Sequence, residues 1–518
     1  MKASDIKNIP AEKLRLANRG ELHDTKFDTK PIGYFRDAWI RFRKNRASVT
    51  AAIIILIIMA FSVITPLVSP YKINFSVTSY SKKVPKSRVL SKIGIFNGQT
   101  KRERNDNAFV NTIGIGVGAA DMDGRGATWE QGMENEYNPA KHIGDSYTKE
   151  GKRYHQLKVD VYLEEGFRYF QVEDDEYFKI LEWQEKTGKQ VIYPMVDTSS
   201  EYCYDSMNAN YWYKTRPGRI EPISDTGYSV RDLKFDTDNL KDSEPLESNY
   251  LYDKDGNPKF YQNTGSTAKK IRVLYYNYYQ YLYGFEPDYL FGTDANGYDI
   301  CIRLAGGIRL SLTIAIIVSA INFIIGGIYG AIEGYFGGVA DMLMERVSDV
   351  LANIPFMVVV TLFQLHYANK VGPVISLLFA FVSVGWISTA SRVRTQFYRF
   401  KNSEYVFAAR TLGASNTRLM FAHIFPNSLG TIITSSVLVI PGVINSESVL
   451  SFLGIMSLNG DQGTSLGTMI ASAQPSFTQF PHMIFFPAFV LSLMMISFNL
   501  FGNGLRDAFN PSLRGVED

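Results

Sequence analysis

Residues 403–427 read SEYVFAARTLGASNTRLMFAHIFPN and lie between two strongly apolar stretches. Ser403 is a favourable helix N-cap, and the glutamate that follows it suits the positive end of a helix dipole. Gly413 allows the chain to turn sharply after the helix. The stretch therefore predicts a short helix that ends in a tight turn between two apolar helices.

The same stretch predicts a surface with small side chains. Ala408 and Ala409 favour a helix and leave little side chain on it. Ser415 can cap a second short helix that ends near His423, and Pro426 precedes the next apolar run. A short exposed helix of this kind, fixed between two membrane helices, has a shape suited to insertion into a groove of a partner protein.

Six apolar stretches are long enough to cross a membrane, because a helix needs about 20 mostly apolar residues to span about 30 Å of hydrocarbon. The third stretch is the least regular, since Pro355 interrupts it and charged residues crowd its start, so we expect a kinked or partly interfacial helix. The six stretches are residues 48–67, 310–331, 350–367, 372–390, 428–450 and 483–504.

The Lys and Arg residues near the ends of these stretches predict their direction. The first 46 residues hold twelve Lys or Arg, residues 391–427 hold six against one acid, and residues 456–482 hold none. We therefore expect the N-terminus, residues 391–427 and the C-terminus in the cytoplasm. Residues 72–309 then lie outside the plasma membrane.

The overall composition excludes some classes of function. The 518 residues carry a formal net charge of only +3, and their Lys and Arg are dispersed, which does not suggest a nucleic-acid surface. Cys203 and Cys301 are too few for a disulfide framework or a metal cluster, and whether they pair stays open. The scattered histidines form no ligand pair, so we expect no metal site.

Residues 72–289 are numerous enough to bury a core of their own. The alternating residues 158–163 (KVDVYL) and the turn signal at residues 253–258 (DKDGNP) predict mixed α and β structure. Residues 114–119 (GIGVGA) match a dinucleotide-binding glycine pattern. With no clear strand before them or helix after them, we interpret these residues as a flexible turn.

Six tyrosines lie within residues 274–285 of this block. The run fits a strand or helix packed within the domain, an aromatic belt at the membrane boundary, or a docking surface for another protein. We hypothesise that the whole block contacts an extracellular solute-binding protein.

Residues 403–427 resemble the EAA loop of the permease subunits of bacterial ATP-binding-cassette importers. In that loop an acid, paired alanines, a glycine and a proline recur in this order. This sequence departs from the pattern at Phe425, where leucine is commoner. The resemblance implies that this segment couples the permease to the ATPases through the residues that match it, Glu404, Ala408, Ala409, Gly413, Ile424 and Pro426.

Further stretches are similar to the C-type permease subunit of oligopeptide and dipeptide importers. Residues 291–312 (FGTDANGYDICIRLAGGIRLSL) resemble its GTDxxGRD segment, although Tyr298 replaces the arginine. Residues 447–454 (ESVLSFLG) and 497–513 (SFNLFGNGLRDAFNPSL) also fit the pattern. The resemblance implies an outer-face motif formed by Gly292, Thr293, Asp294, Gly297, Asp299 and Arg303.

The resemblance implies an α-helical polytopic membrane protein with the six transmembrane helices of the type I importer permease fold. A mixed α/β extracellular domain would be inserted between helices 1 and 2. The expected parts are a cytoplasmic segment (1–46), transmembrane helix 1 (47–71), the insertion (72–289), the permease core (290–504) with its cytoplasmic coupling loop (391–427), and a cytoplasmic tail (505–518).

Several partners are implied as well: a second homologous permease, two cytoplasmic ATPases, a lipid-anchored peptide-binding protein and the peptide itself. The sequence contains no GxxxxGK[ST] loop, so we expect no enzymatic activity here and no cofactor; ATP and Mg²⁺ would be bound by the partner ATPases. Oligopeptides are the leading substrate, with dipeptides or nickel complexes as the alternative. The length and sequence of the peptide stay open.

Glu447 is an acid within an apolar run, and such residues are usually functional or paired. Counting about 1.5 Å per residue from residue 428 puts it near the outer boundary, where it could belong to an outer gate. Contact with the peptide or binding protein, or simple solvation, stays open. The competing function for the chain is a membrane-anchored receptor or sensor, which would not need the glycine-hinged loop at residues 403–427.

Overall fold

The structure is a computed structural model of the chain. It describes residues 33–150, 152–197, 209–210, 220–222, 228–230, 249–265, 267–460 and 463–509. Cys203 and the last part of the 497–513 motif lie outside the described residues.

The helices and strands are numbered in chain order. The α-helices are α1 (Tyr34–Lys44), α2 (Arg46–Val68), α3 (Asp106–Ala120), α4 (Trp129–Glu134), α5 (Asp174–Thr187), α6 (Tyr275–Tyr283), α7 (Ile300–Phe336), α8 (Gly338–Ala352), α9 (Phe356–Val371), α10 (Pro373–Phe400), α11 (Glu404–Thr411), α12 (Asn416–Arg418), α13 (Phe425–Val437), α14 (Val439–Phe452), α15 (Leu466–Ala473) and α16 (His482–Phe509). The strands are β1 (Gln99–Asn105), β2 (Ala140–Lys149), β3 (Lys152–Asp160), β4 (Phe167–Glu173), β5 (Ile192–Tyr193), β6 (Ile220–Pro222), β7 (Tyr228–Val230), β8 (Tyr261–Asn263), β9 (Ala268–Leu274), β10 (Asn459–Gly460) and β11 (Gly463–Thr464).

Within the described residues, five helical segments are long and apolar enough to cross a membrane: α2, α7, α10, the continuous segment Asn416–Phe452, and α16. Helices α8 and α9 qualify together as a sixth span that is bent by 71°. Each segment overlaps one predicted stretch, which confirms a polytopic helical protein. Pro355 immediately precedes α9, and this explains the bend because proline cannot continue a helix that begins before it.

The fifth span departs from the prediction at its beginning. Ser415 caps a helix as expected, its side chain accepting a hydrogen bond from the Arg418 N–H. The helix does not end near His423, however, but continues through a π-helical turn at Leu419–Ile424 into α13. Pro426 lies in the first turn of α13 and has no N–H to donate, so the wider π turn before it lets the helix continue.

The packing of α7 against α10 depends on glycines spaced four residues apart. A Cβ atom at Gly330 would lie 2.2 Å from the Ala390 carbonyl oxygen, and one at Gly326 would lie 2.6 Å from the Trp386 carbonyl oxygen. Gly334 is as close to α10 at the next turn, 2.7 Å from the carbonyl oxygen of residue 394. Small residues on one helix face allow two membrane helices to approach closely, so α7 and α10 form a tightly packed pair.

The described part of the segment between α2 and α7 contains two larger antiparallel sheets. One has the strand order β1-β3-β2, and the other has the order β4-β9-β5 with β8 also paired to β9. The predicted strand at residues 158–163 overlaps the end of β3, and the predicted turn at residues 253–258 is closed by the Asp253 carboxylate, which accepts from the N–H groups of Asp255 and Asn257.

The interpretation of residues 114–119 as a flexible turn was wrong. These residues lie within α3, where a Cβ atom at Gly116 would approach the Gly132 carbonyl oxygen to 2.5 Å. The glycines therefore permit close packing of α3 against α4 instead of marking a turn.

The tyrosine run forms helix α6 and packs inward. Tyr279 is fully buried beside the fully buried Tyr80, Tyr162 and Tyr289, and its hydroxyl lies 3.2 Å from that of Tyr289. The same cluster includes Ile302 at the start of α7. The segment between α2 and α7 is thus packed directly onto the beginning of the second membrane helix.

Candidate functional site

The predicted EAA-like segment forms a short helix and a tight turn. Helix α11 begins after Ser403, whose side chain makes no capping hydrogen bond. Gly413 follows the helix with a left-handed φ of +85°, a conformation that glycine adopts without strain. The predicted helix and hinge are therefore both present.

The residues of this segment divide into an exposed and a buried set. Ala409 is half-buried and Ile424 is buried, whereas Glu404, Ala408, Gly413 and Pro426 are exposed. Large apolar side chains are exposed beside them: Tyr405 at 38%, Phe407 at 47% and Leu412 at 88%. Exposed apolar side chains grouped on one short helix are typical of a surface that contacts another protein.

The buried set fixes α11 to the ends of the membrane helices. Val406, Leu419 and Ile424 pack in one cluster with Phe397 of α10 and Ala331 of α7. The Tyr335 hydroxyl, near the end of α7, also donates a hydrogen bond of 2.7 Å to the Asn416 side chain. A displacement of α11 would therefore be transmitted to α7 and α10 through these packed side chains.

The six residues predicted as an outer-face motif lie together just before and within the first turn of α7. Gly292 and Gly297 both have left-handed φ angles, +78° and +80°. A Cβ atom at Gly297 would lie 2.1 Å from the Val77 carbonyl oxygen, and one at Gly292 would lie 2.3 Å from that of Lys83. Both positions require glycine, because the chain that follows α2 passes directly against them.

The polar residues of the motif tie the same two segments together. Thr293 exchanges hydrogen bonds with Lys83: its N–H donates to the Lys83 carbonyl at 3.0 Å, and its hydroxyl accepts from the Lys83 N–H at 2.8 Å. Its hydroxyl also donates to the Tyr80 carbonyl. The motif therefore joins the chain after α2 to the start of α7.

Two acids and one arginine complete the motif. Asp299 is the N-cap of α7 and accepts from the Cys301 N–H at 2.8 Å. Burial raises the pKa of its carboxyl from 3.8 to about 7. Arg303 pairs with Asp294 at 3.3 Å and lies 4.1 Å above the ring of Tyr298. The tyrosine that departs from the family pattern is thus the stacking partner of this arginine.

Glu447 is 1% exposed and lies among hydroxyl groups from three helical segments. Its carboxylate accepts hydrogen bonds from Ser465 at 2.5 Å, Ser451 at 3.0 Å and Ser311 at 3.3 Å. Among the interpretations left open, simple solvation does not agree with this burial. The arrangement connects α7, α14 and the start of α15.

One polar cluster was not predicted. The guanidinium of Arg394 on α10 bonds to both carboxylate oxygens of Asp341 and of Glu345 on α8, at 2.6 to 3.0 Å. Its Nε also lies 3.5 Å from a carboxylate oxygen of Glu333 on α7. The sequence feature that could have indicated this cluster is a pair of acids four residues apart, because Asp341 and Glu345 then share one face of a helix.

Cys301 is a buried free thiol at the start of α7. Within the described ranges, no group of three or more His, Cys, Asp or Glu side chains is arranged to hold a metal ion.

Two family models match the chain. Residues 323–515 match the binding-protein-dependent transport system inner membrane component, and residues 33–85 match the N-terminal TM domain of oligopeptide transport permease C. These two matches include α1, α2 and the described helices from the middle of α7 onward, and neither includes residues 86–322.

Curated relatives agree with these matches. The oligopeptide transport system permease protein OppC of Bacillus subtilis is 38% identical over 229 residues, which cover 44% of this chain and 73% of the relative. The dipeptide transport system permease protein DppC of the same organism is 39% identical over 231 residues, covering 44% and 70%. A solved chain of the MetNI methionine ABC transporter is 14% identical and matches 40% of this chain and 96% of that one, with a TM-score of 0.33.

Proposed function

Because this chain belongs to the oligopeptide and dipeptide permease family of binding-protein-dependent transport systems, we propose that it imports peptides by coupling their passage through the membrane to ATP hydrolysis on partner subunits. The chain is a multi-pass membrane permease of an ATP-binding-cassette importer. The alternative of a membrane-anchored receptor is not favoured, since the relatives named above are transport permeases.

The exposed face of α11 is the observation that carries the coupling role. Leu412 is 88% exposed at the end of a helix whose opposite face packs against α7 and α10. In this proposal the face formed by Tyr405, Ala408 and Leu412 enters a groove of a cytoplasmic ATPase. Closure of the ATPases then moves α11, and the packed cluster transmits the motion to the membrane helices.

The remaining partners follow from the same family. A second homologous permease would complete the translocation path, two ATPases would bind ATP and Mg²⁺, and a lipid-anchored binding protein would deliver the peptide. Oligopeptide and dipeptide relatives are almost equally similar, at 38% and 39% identity, so a dipeptide or nickel-complex substrate stays the second candidate.

The orientation is also part of the proposal. With α11 in the cytoplasm, both termini are cytoplasmic and residues 72–309 are extracellular, as the distribution of Lys and Arg favours. The outer-face motif and Glu447 then lie toward the extracellular ends of α7 and α14. Glu447 would hold the outer gate closed through its three hydroxyl partners.

A substitution on the exposed face of α11 tests the coupling role. Ala408→Trp enlarges an exposed side chain and should reduce co-purification of the ATPases about tenfold or more, because the added ring would not fit the groove. Membrane insertion should stay unchanged. Ala47→Trp places the same ring at another exposed alanine, on α2, and serves as the matched control. Full assembly of the Ala408→Trp complex would refute the coupling role.

A second experiment tests whether the insertion contacts the binding protein. The Lys86 N–H donates to the Tyr289 carbonyl at 2.9 Å, so a short Gly-Ser linker can replace residues 87–287 while keeping the chain segments that pair with each other. The shortened complex should capture less of the binding protein at equal expression. Undiminished capture would refute the contact.

A further inference from the structure

The side chains around Arg394, here called the Arg394 clamp, join three membrane helices at one end of the bundle. The clamp consists of Arg394 on α10, Asp341 and Glu345 on α8, and Glu333 on α7. Tyr398, one turn after Arg394, also donates a hydrogen bond to Asp341. The Arg394 guanidinium thus contacts carboxylates on both α7 and α8, while Tyr398 adds a second bond from α10 to α8. The Tyr329 hydroxyl of α7 also donates to the Met344 carbonyl of α8 at 2.7 Å.

The position of the clamp relates it to the coupling segment. Helix α10 continues from Arg394 to Phe400 and is followed closely by α11, which begins at Glu404. At about 1.5 Å per residue, the six helical steps from Arg394 to Phe400 correspond to about 9 Å, and three further residues lead to α11. The clamp thus lies at the same end of α10 as the exposed face of α11.

Helix α8 begins at a pair of glycines and ends at a bend. It is joined to α7 through Gly337 and Gly338, whose φ angles of +66° and +58° favour glycine. At its other end it meets α9 at an angle of 71°. Because both ends depart from straight helix, the position of α8 depends on side-chain contacts with its neighbours.

The chemistry of the clamp suits a rigid link. A planar guanidinium can bond each of two carboxylates through two parallel N–H groups in fixed directions, whereas the three rotatable donors of a lysine ammonium do not provide this bidentate geometry. The Glu333 and Asp341 side chains are only 4% and 12% exposed, so loss of the arginine would leave two poorly solvated acids without their cation. The buried acids are therefore stabilised by the arginine, and the arginine is held in place by the acids.

We propose that Arg394 is a positioning residue that makes the bent third span, through α8, follow the movement of α10 and the attached coupling helix. The inference rests on the proposed function, since it assumes that α11 receives force from the ATPases. In this proposal Arg394 acts through the position of α8 and not through contact with peptide or nucleotide. Without it, the Tyr398 hydrogen bond would remain between α10 and Asp341, and α8 would follow the movement of α10 less closely.

The test compares transport with ATP consumption in the complete complex. Proteoliposomes containing both permeases and both ATPases, supplied with the binding protein and peptide, allow uptake and ATP hydrolysis to be measured in the same sample. Arg394→Gln should lower the peptide taken up per ATP hydrolysed about tenfold, within the usual range for coupling between distant sites. A variant that merely folds poorly would lose both activities in proportion and keep the ratio, and that outcome would overturn the proposal.

Three variants make the comparison specific. Arg392→Gln removes the same charge from an exposed position on the same helix and should keep the ratio of the unmodified protein. Arg394→Lys should recover part of the ratio, because the charge returns without the bidentate geometry. Asp341→Asn combined with Arg394→Gln should lower the ratio no further than the more severe single variant. Additive losses in the double variant would contradict action through the clamp.

The experiment also separates this inference from the proposed function. If α11 does not contact the ATPases, Ala408→Trp will leave the complex assembled, and the coupling proposal fails first. If Ala408→Trp disrupts assembly but Arg394→Gln keeps the normal ratio of uptake to hydrolysis, only the role of Arg394 fails.

Discussion

The Ser465 hydroxyl donates a 2.5 Å hydrogen bond to the carboxylate of Glu447, and this bond joins the beginning of α15 to the middle of α14. The same hydroxyl accepts from the Thr468 N–H at 3.1 Å and so caps α15. The residues around it leave little room, since a Cβ atom at Gly467 would lie 2.4 Å from Ser448 Cα. One buried acid therefore fixes both the position and the start of a neighbouring helix.

Replacing Glu447 should destabilise the assembled protein. Glu447→Ala would leave buried hydroxyls without their acceptor and open a small cavity, which together cost about 2–4 kcal/mol. Glu447→Gln keeps the size and one acceptor oxygen and should cost less than half as much. Thermal unfolding of the purified complex measures both, and equal melting temperatures for the alanine variant and the unmodified protein would contradict the structural role of the carboxylate.

The sequence predicted the membrane helices well because each is a long apolar run whose length alone decides its structure. It also located the tight turn at Gly413 and grouped the residues around the start of α7, since those features depend on short stretches of chain. It did not predict the Arg394 clamp, because its members are separated by 49 and 53 residues and nothing local indicates which charges meet.

For the glycines of α3 the sequence predicted a turn that the structure does not contain. Residues 114–119 contain three glycines, and glycine disfavours helices, so a turn was a reasonable interpretation. The structure places them in a helix because tertiary packing outweighs the local preference: Gly116 and Gly132 allow two backbones to come together. Such a contact between α3 and α4 cannot be recognised from one segment alone.

Leu412 should contribute to partner binding without contributing to folding. The side chain is 88% exposed, so Leu412→Ala removes almost no buried area within this chain. If it is an anchor in the ATPase groove, the substitution should weaken ATPase binding about tenfold, which corresponds to about 1.4 kcal/mol. Titration of detergent-solubilised permeases with purified ATPase measures the change. Thr411→Ala, at the adjacent exposed position, should bind normally, and equal affinities for both variants would exclude Leu412 as an anchor.

Gly297 should be far less tolerant of substitution than another glycine with almost the same backbone angle. Gly297 and Gly256 have φ angles of +80° and +82°, so alanine costs about 1 kcal/mol of backbone strain at either position. Only at Gly297 would the new Cβ also meet a backbone oxygen, that of Val77, at 2.1 Å, whereas Gly256 has open space. Gly297→Ala should therefore lower stability by about 3 kcal/mol or more. If the melting temperatures of the two variants fall by the same amount, the close approach of Gly297 to Val77 does not contribute to stability.

Asp299 should make stability depend on pH. Burial raises the pKa of its carboxyl from 3.8 to about 7, and the nearby Asp288 and Asp294 raise it further, while the N–H groups of Cys301 and Ile302 act in the opposite direction. Between these two values the folded protein binds more protons than the unfolded chain, so the stability contributed by this group falls as pH rises from about 4 to about 7. Asp299→Asn keeps an N-cap acceptor but cannot ionise, and it should leave the melting temperature unchanged near pH 4 and raise it at pH 8 relative to the unmodified protein. The exposed Asp255→Asn removes one charge elsewhere and should produce no such difference between the two pH values. If the Asp299→Asn variant has the same pH profile as the unmodified protein, this carboxyl is ionised throughout, and the start of α7 carries a permanent buried charge.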